Sequence, residues 1–243
     1  SAGGNGAAMR TSVIGLIFNK EEDLSKLIEH SITASRTTHN YSLGFLGGLV
    51  TALFTSYAIR DIPIWEWVRK LLDLYKNGVI DSYMEKTNIF EEYKKDKDNF
   101  FDKWEQYQEQ RVNNFTKNKN YKMNDFTSRL DFLEQFNAYT INSKQKNYSK
   151  FGASGISVLI VAYDAFLMSY HHNTWPLSSN PKDIKISLES LIFFSCLHFG
   201  DNDTTGAIAG AWYGALYGFK NFDTQKLEQL EFKQKLNKLF ELI

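Results

Sequence analysis

Two carboxylates and a hydroxyl, Asp201, Asp203 and Thr204, stand almost side by side in the stretch His198-Phe199-Gly200-Asp201-Asn202-Asp203-Thr204-Thr205. Held about 5 Å apart, the two carboxylates repel by about 3 kcal/mol at an effective dielectric of about 20, so a partly dry site needs a proton or a cation to keep both. A hard, oxygen-seeking ion such as magnesium suits that donor set. The same residue types also cap helices, because a side-chain oxygen at the first position accepts the free N–H groups of the first turn. Local spacing fits either role.

The elements that must position these groups can be read outward from them. Behind Thr205 comes a small-residue run in which Gly206, Gly210, Gly214 and Gly218 recur every fourth position beside Ala207, Ala211 and Ala215. On a helix that spacing makes one flat face, which lets other backbone come very close. At the other end of the chain, Gly3-Gly4-Asn5-Gly6 permits positive φ and exposes amide N–H groups. Ala7 onward can then open a helix whose N-terminus attracts a phosphate. A bare glycine-rich stretch of this kind is also an ordinary turn. An amphipathic helix over 21–36, with Leu24, Leu27, Ile28 and Ile32 on one face, delivers His39 to a loop. An isolated histidine serves as a structural residue more often than as a ligand contact.

The rest of the chain reads as helices. Leu43 to Ile59 is nearly continuous and apolar; it is short for a membrane span, and its glycines, threonines and serine suit a buried central helix. Trp65 and Trp67 precede a helical segment ending near Tyr75 and read as core. Phe90, Tyr93, Lys97, Phe100, Trp104, Tyr107 and Arg111 alternate spacings of three and four, which puts a mostly aromatic face on one helix and its charges outward. Residues 112–125 read as a surface loop. Helices follow over Val158–Tyr170, over Asp183–Leu197 with Asn180 as cap and Pro181 at the first position, and over Phe222–Ile243. No stretch alternates with a period of two, so the fold expected is all-α. With 243 residues, 43% of them hydrophobic, the chain can bury one core as a single domain, interrupted by a charged helical and loop insertion at about 85–145. Lys plus Arg equals Asp plus Glu at 28 each, so net charge draws the chain to neither nucleic acid nor an anionic membrane. The single cysteine, Cys196, cannot form an internal disulfide and favours a reducing, cytoplasmic setting.

The string GDNDTTGAIAGAWYGALYGF resembles the C-terminal signature of the ADP-ribosylglycohydrolases. Gly3 to Arg10 resembles that family's glycine-rich loop, Ser35-Arg36-Thr37-Thr38-His39 with Leu43-Gly44 the segment after it, and Ala162-Tyr163-Asp164-Ala165 and Tyr217-Gly218-Phe219 further positions. Tyr148 to Gly155 resembles a second ligand loop beside the substrate. The resemblance implies an orthogonal helical bundle. It implies that Asp201, Asp203 and Thr204 bind a pair of magnesium ions, that Gly4, Asn5, Gly6 and His39 hold the diphosphate and ribose of ADP-ribose, and that Phe151 and Gly152 lie near the nucleoside. The family's other metal ligands come from a Thr-Asp-Asp motif in an earlier segment, and no adjacent Asp-Asp pair occurs here. The bundle is therefore expected to lack its first helices, with an upstream segment or a second chain completing the site. Arginine-directed members carry Gly-His-Asp where this chain has Gly155-Ile156-Ser157.

The function implied is magnesium-dependent hydrolysis of the bond between the ribose anomeric carbon and a modified protein side chain, with Asp201 and Asp203 as catalytic carboxylates. The alternative is an ADP-ribose-binding or structural subunit of a larger assembly, impaired in catalysis.

Overall fold

A computed structural model describes residues 3–117, 126–137, 151–173, 186–219, 228–229 and 231–241. Twelve α-helices are distinguished within these: α1 (Ser12–Ile17), α2 (Leu24–Arg36), α3 (Ser42–Ile59), α4 (Trp67–Lys76), α5 (Val79–Met84), α6 (Phe90–Tyr107), α7 (Asn113–Lys117), α8 (Phe126–Glu134), α9 (Ser157–Asn173), α10 (Leu188–Cys196), α11 (Asn202–Tyr217) and α12 (Lys233–Phe240). The described residues contain no strand, only an isolated antiparallel bridge between Gly4 and Ser154. The fold is all-α, as the lack of period-two patterning predicts.

The core is built around α3, because a helix apolar on every side is stable only when neighbours cover all of it. Every residue of α3 except Ile59 is buried, and α1, α2, α6 and α11 all pack on it. Its glycines let other backbone in: a Cβ on Gly47 would lie 2.6 Å from the Gly155 carbonyl oxygen, and one on Gly155 only 2.1 Å from that of Leu43. The loop ending at Gly155 is thereby seated on the first turns of α3. Phe54 brings Trp67, Trp104, Tyr163 and Trp212 to within 5.4–5.6 Å of its own ring centre. The aromatic face of α6 turns inward as its spacing predicts, with Tyr93, Phe100, Trp104 and Tyr107 fully buried.

A π turn at Gln108–Val112 carries that face on to Arg111. Asp164 on α9 lies between Arg111 Nε at 2.7 Å and Arg129 Nε at 2.6 Å, and Tyr107 donates its hydroxyl proton to the same carboxylate at 2.8 Å. All three charged side chains are wholly buried. Burial alone would push the Asp164 carboxyl up, and the two guanidinium groups outweigh it, holding it below the usual carboxylate range. Removing one partner of such a buried cluster costs about 3–5 kcal/mol, since it strands a charge.

Several local expectations are corrected. The flat glycine face of α11 does not receive backbone: among the described residues nothing comes within 4 Å of a Cβ on Gly210 or Gly214. The helix instead buries the face carrying Thr205, Ile208, Ala209, Trp212 and Tyr213, where larger apolar area is removed from water. Residues 113–117, read as loop, are helical because Phe115 buries its ring there. The helix expected over Asp183–Leu197 begins at Leu188, where the Ser187 hydroxyl accepts the Ser190 N–H at 3.0 Å as a cap. Asn180 and Pro181 lie outside the described residues, as do residues 118–125 and, in the last helix, Leu227 and Leu230. Cys196 is half-buried, with its sulfur against the backbone of Gly206.

Candidate active site

Three segments far apart in sequence meet at one place, and Asn5 joins them. Its side-chain amide donates one hydrogen to the Gly152 carbonyl at 2.9 Å and the other to Asp201 Oδ2 at 2.5 Å. Both donors of the amide are thus satisfied, one by a charged acceptor, which makes the stronger kind of hydrogen bond. Around this junction Gly155 N–H donates to the Gly3 carbonyl at 2.8 Å, and Asp201 N–H to the Phe151 carbonyl at 2.8 Å.

Asp201 occupies the N-cap position of α11, but its side chain makes no capping hydrogen bond. The Thr204 N–H goes to Asp203 Oδ1 at 3.0 Å instead. Asp201 reaches Asn5 and also stays beside Thr204 in the first turn of the helix, so it serves the junction as well as the helix start. Burial pushes its carboxyl up, while the Asn5 amide, the neighbouring Asp203 carboxyl and Thr204 outweigh that effect, so it stays ionised to lower pH than an ordinary aspartate. Asp203 is exposed, Thr204 is buried, and both face the same corner. Because Asp203 is exposed, water screens the repulsion between the two carboxyls. The donor set of Asp201, Asp203 and Thr204 is all oxygen, so it fits a hard cation such as magnesium and fills part of its six-fold shell. Among the described residues no further His, Cys, Asp or Glu joins them to make a metal-binding group of three.

The glycine loop works differently from the expectation. Gly3, Gly4 and Gly6 all have ordinary negative φ. What excludes a side chain is contact: a Cβ on Gly3 would lie 2.6 Å from Leu43 Cβ, and one on Gly6 would lie 2.9 Å from the His39 ring. The element that follows is only a 3₁₀ turn, Ala8–Arg10, before the short α1, so no long helix aims its dipole at this loop. The positive φ in the site belongs to Gly152, at 76°, a conformation that other residues adopt only at a cost.

His39 does reach the site. Its ring lies against Gly4, Gly6 and Gly44, and Nδ1 is 2.7 Å from the Thr38 hydroxyl, which in turn accepts from Arg10 at 2.6 Å. Burial and the nearby Arg10 charge lower the pKa of the imidazole. Phe151 contributes differently from a surface platform: its ring is 1% exposed and packs edge-on to His198, 5.0 Å between centres. Gly4, Asn5, Gly6, His39, Gly152, Asp201, Asp203 and Thr204 are brought to one corner, and the Phe151 backbone closes it.

His198 is the buried residue of this corner to which sequence reasoning gave no role. Its Nδ1 accepts the Gly200 N–H at 3.2 Å and its Nε2 lies 2.8 Å from the Thr205 hydroxyl, which donates to the Ser195 carbonyl at 2.6 Å. That chain is consistent only with a neutral ring carrying its proton on Nε2. Burial, chiefly, and the Arg129 charge hold its pKa down to about 4. His198 therefore acts as a brace for the turn that presents Asp201. Its position at the start of the Gly-Asp-x-Asp string was the one available signal.

The family model of the ADP-ribosylglycohydrolases matches residues 1–243. The chain is 36% identical over 244 residues to "ADP-ribosylhydrolase ARH1" of Dictyostelium discoideum, covering 96% of this chain and 58% of that protein. It is 30% identical over 245 residues to "Putative ADP-ribosyl glycohydrolase L444" of Acanthamoeba polyphaga mimivirus, covering 97% of this chain and 43% of that protein. The chain thus spans roughly half the length of these relatives. With the helical fold and the meeting of the glycine loop with the Gly-Asp-x-Asp turn, the match leads to one conclusion: the chain belongs to the ADP-ribosylglycohydrolase family.

Proposed function

We propose that this chain carries the ADP-ribose-binding and acid-rich side of a magnesium-dependent hydrolase, one that releases ADP-ribose from modified protein side chains by cleaving the bond at the ribose anomeric carbon. The single observation that supports this most is the Asn5 amide shared between Gly152 and Asp201, because it ties the glycine loop to the carboxylates of the Asp-x-Asp turn. In this reading Asp201, Asp203 and Thr204 hold magnesium, which when bound supplies a Lewis acid that polarises oxygen ligands and activates water. Asp201, kept ionised by its hydrogen bonds, would accept the proton of the attacking water as its oxygen bonds to the anomeric carbon, and return that proton to the side-chain atom that leaves. Gly4, Gly6 and His39 receive the diphosphate and ribose, and Gly152 lies beside the nucleoside.

The test is release of ADP-ribose from an ADP-ribosylated protein by the chain supplied with a segment carrying the family's Thr-Asp-Asp motif, with and without magnesium, beside calorimetry of the chain alone with free ADP-ribose. Magnesium-dependent release that Asp201→Asn abolishes is the expected result. Release that is indifferent to both magnesium and Asp201→Asn would sink the reading. A second reading, ADP-ribose binding without turnover, is favoured by the small metal-ligand set among the described residues. Binding with no release at any magnesium concentration would select it.

A further inference from the structure

Three neighbouring helices turn an uncharged surface to solvent. α1 and α10 both pack against α11, and no Asp, Glu, Lys or Arg occurs in Thr11–Asn19, Ser190–Gly200 or Thr204–Phe219. A helix face made for water normally carries charge. Gly15 seats α1 on α3, where a Cβ would collide with the Ala52 carbonyl oxygen, and residues two positions away on a helix lie nearly opposite. Val13 and Ile17 therefore point outward, and together with Met9 and Leu16 they are 43–62% exposed. Ile192 on α10, and Leu197 just after it, are 50% exposed. Exposed apolar area gathered in this way marks a surface that something covers.

α11 supplies a low floor to this surface. Ala207, Gly210 and Gly214 are exposed along one line of the helix, and Asp203 begins the same line. Among the described residues nothing comes within 4 Å of a Cβ on Gly210 or Gly214. α10 meets α11 at Gly206, where Cys196 lies against the backbone, and α1 packs on both α11 and α3. The result is a trough with small residues beneath and large apolar side chains at its borders, running about 16 Å from Asp203 to Gly214 at the rise of an α-helix.

We infer that this trough seats an apolar helix from a part of the protein beyond this chain, laid along α11 with one end over Asp203. The relatives have length to supply it, since this chain covers only 58% and 43% of them. A floor of glycine and alanine admits another helix closer than the usual interaxial distance of about 8–10 Å. A flat bilayer cannot fill such a trough, and the trough offers no Lys or Arg to anionic lipid. In a symmetric pair of chains the same face meets itself, and the raised borders would hold the two floors apart. Docking there covers the exposed side of the Asp201 corner. It goes beyond the reading above and needs neither magnesium nor turnover.

Co-expression of the full chain with the part of the Dictyostelium discoideum relative that it does not span, tagged on that part, tests this. The chain should be retained through purification in EDTA and without ADP-ribose, so a failure here would leave the hydrolase reading to its own release assay. Gly210→Leu has open space in the chain and should melt no lower than wild type, yet reduce retention at least about tenfold by overpacking the trough. Val13→Glu, at an exposed border position, should do the same. Asp203→Asn should leave retention unchanged, because the contact is apolar. No retention of the wild-type chain, or full retention of both Gly210→Leu and Val13→Glu, would overturn the docking. A chain that sediments as a dimer split by Gly210→Leu would give the trough to a second copy, and one that floats with phosphatidylcholine vesicles would give it to a membrane; either result also overturns the inference.

Discussion

Asn5 donates a hydrogen bond to Asp201 across a sequence separation of 196 residues, and the other hydrogen of the same amide is taken by Gly152. One side chain near the start of the chain therefore fixes both the carboxylate and the loop opposite it. Asn5→Ala leaves a part-buried carboxylate and a carbonyl each short of a partner. A loss of about 1–3 kcal/mol is expected from urea titration, together with weaker ADP-ribose binding. Asn5→Asp should be worse than alanine, because it sets a second negative charge against Asp201. If the aspartate variant is as stable as wild type, the contact does not hold the site together.

Magnesium should raise the melting temperature of the wild-type chain, because an ion bound only by the folded state adds RT ln(1 + [L]/Kd), about 2.7 kcal/mol at a hundredfold excess over Kd. Asp201→Asn is expected to erase that gain, and Thr204→Val to reduce it. Calcium and manganese melts run beside it separate specific coordination from general screening. An Asp201→Asn protein that responds to magnesium like wild type would return this turn to the role of an ordinary helix start.

The turn should also respond to acid through His198. Its folded pKa of about 4 lies below the unfolded value of about 6.5. As pH falls between those values the unfolded chain binds a proton that the folded chain refuses, so stability is complete above about 6.5 and is lost as pH drops toward 4. The shift corresponds to about 3 kcal/mol, and the ring is 8% exposed, so solvent screening removes little of it. Urea midpoints at pH 7, 5.5 and 4.5 measure the slope. His198→Gln, which cannot titrate, should flatten it even if its stability at pH 7 is lower. An equal slope in both proteins would mean that another group sets the acid sensitivity.

The helices were legible in the sequence wherever one face is bulky and the other charged. The stripe from Phe90 to Arg111 gave α6, and the all-round apolar run gave the buried α3, since both patterns follow from how much carbon each face must hide. That the glycine loop, the Gly152 loop and the Asp201 turn meet was foreshadowed by motif resemblance. The glycines' mode of action was not: Gly3 and Gly6 are confined by Leu43 and His39, contacts between segments that no local spacing encodes. The Arg111–Asp164–Arg129 cluster was hidden for the same reason, because pairing partners 53 and 35 residues apart leave no periodic trace. His198 showed the limit from another side, since a histidine reads alike whether it braces a turn or meets a ligand.

The glycine stripe of α11 is where the pattern misled most, and it gives the clearest contrast for mutation. Gly210 sits mid-helix with open space around a Cβ among the described residues, so Gly210→Ala should stabilise by up to about 1 kcal/mol through helix propensity alone. Gly200, ten residues earlier and just before the helix, is the opposite case. A Cβ there would lie 2.0 Å from the Phe151 carbonyl oxygen, the same oxygen that accepts the Asp201 N–H. Gly200→Ala must push the two segments of the junction apart, costing about 1–3 kcal/mol or more as overpacking does, and carrying Asp201 away from Asn5. Denaturant midpoints for both variants, read beside the magnesium shift, separate the two positions: the Gly210 variant should keep the wild-type shift and the Gly200 variant lose most of it. A Gly210→Ala protein destabilised by more than about 1 kcal/mol would mean that a neighbour does pack against that face after all.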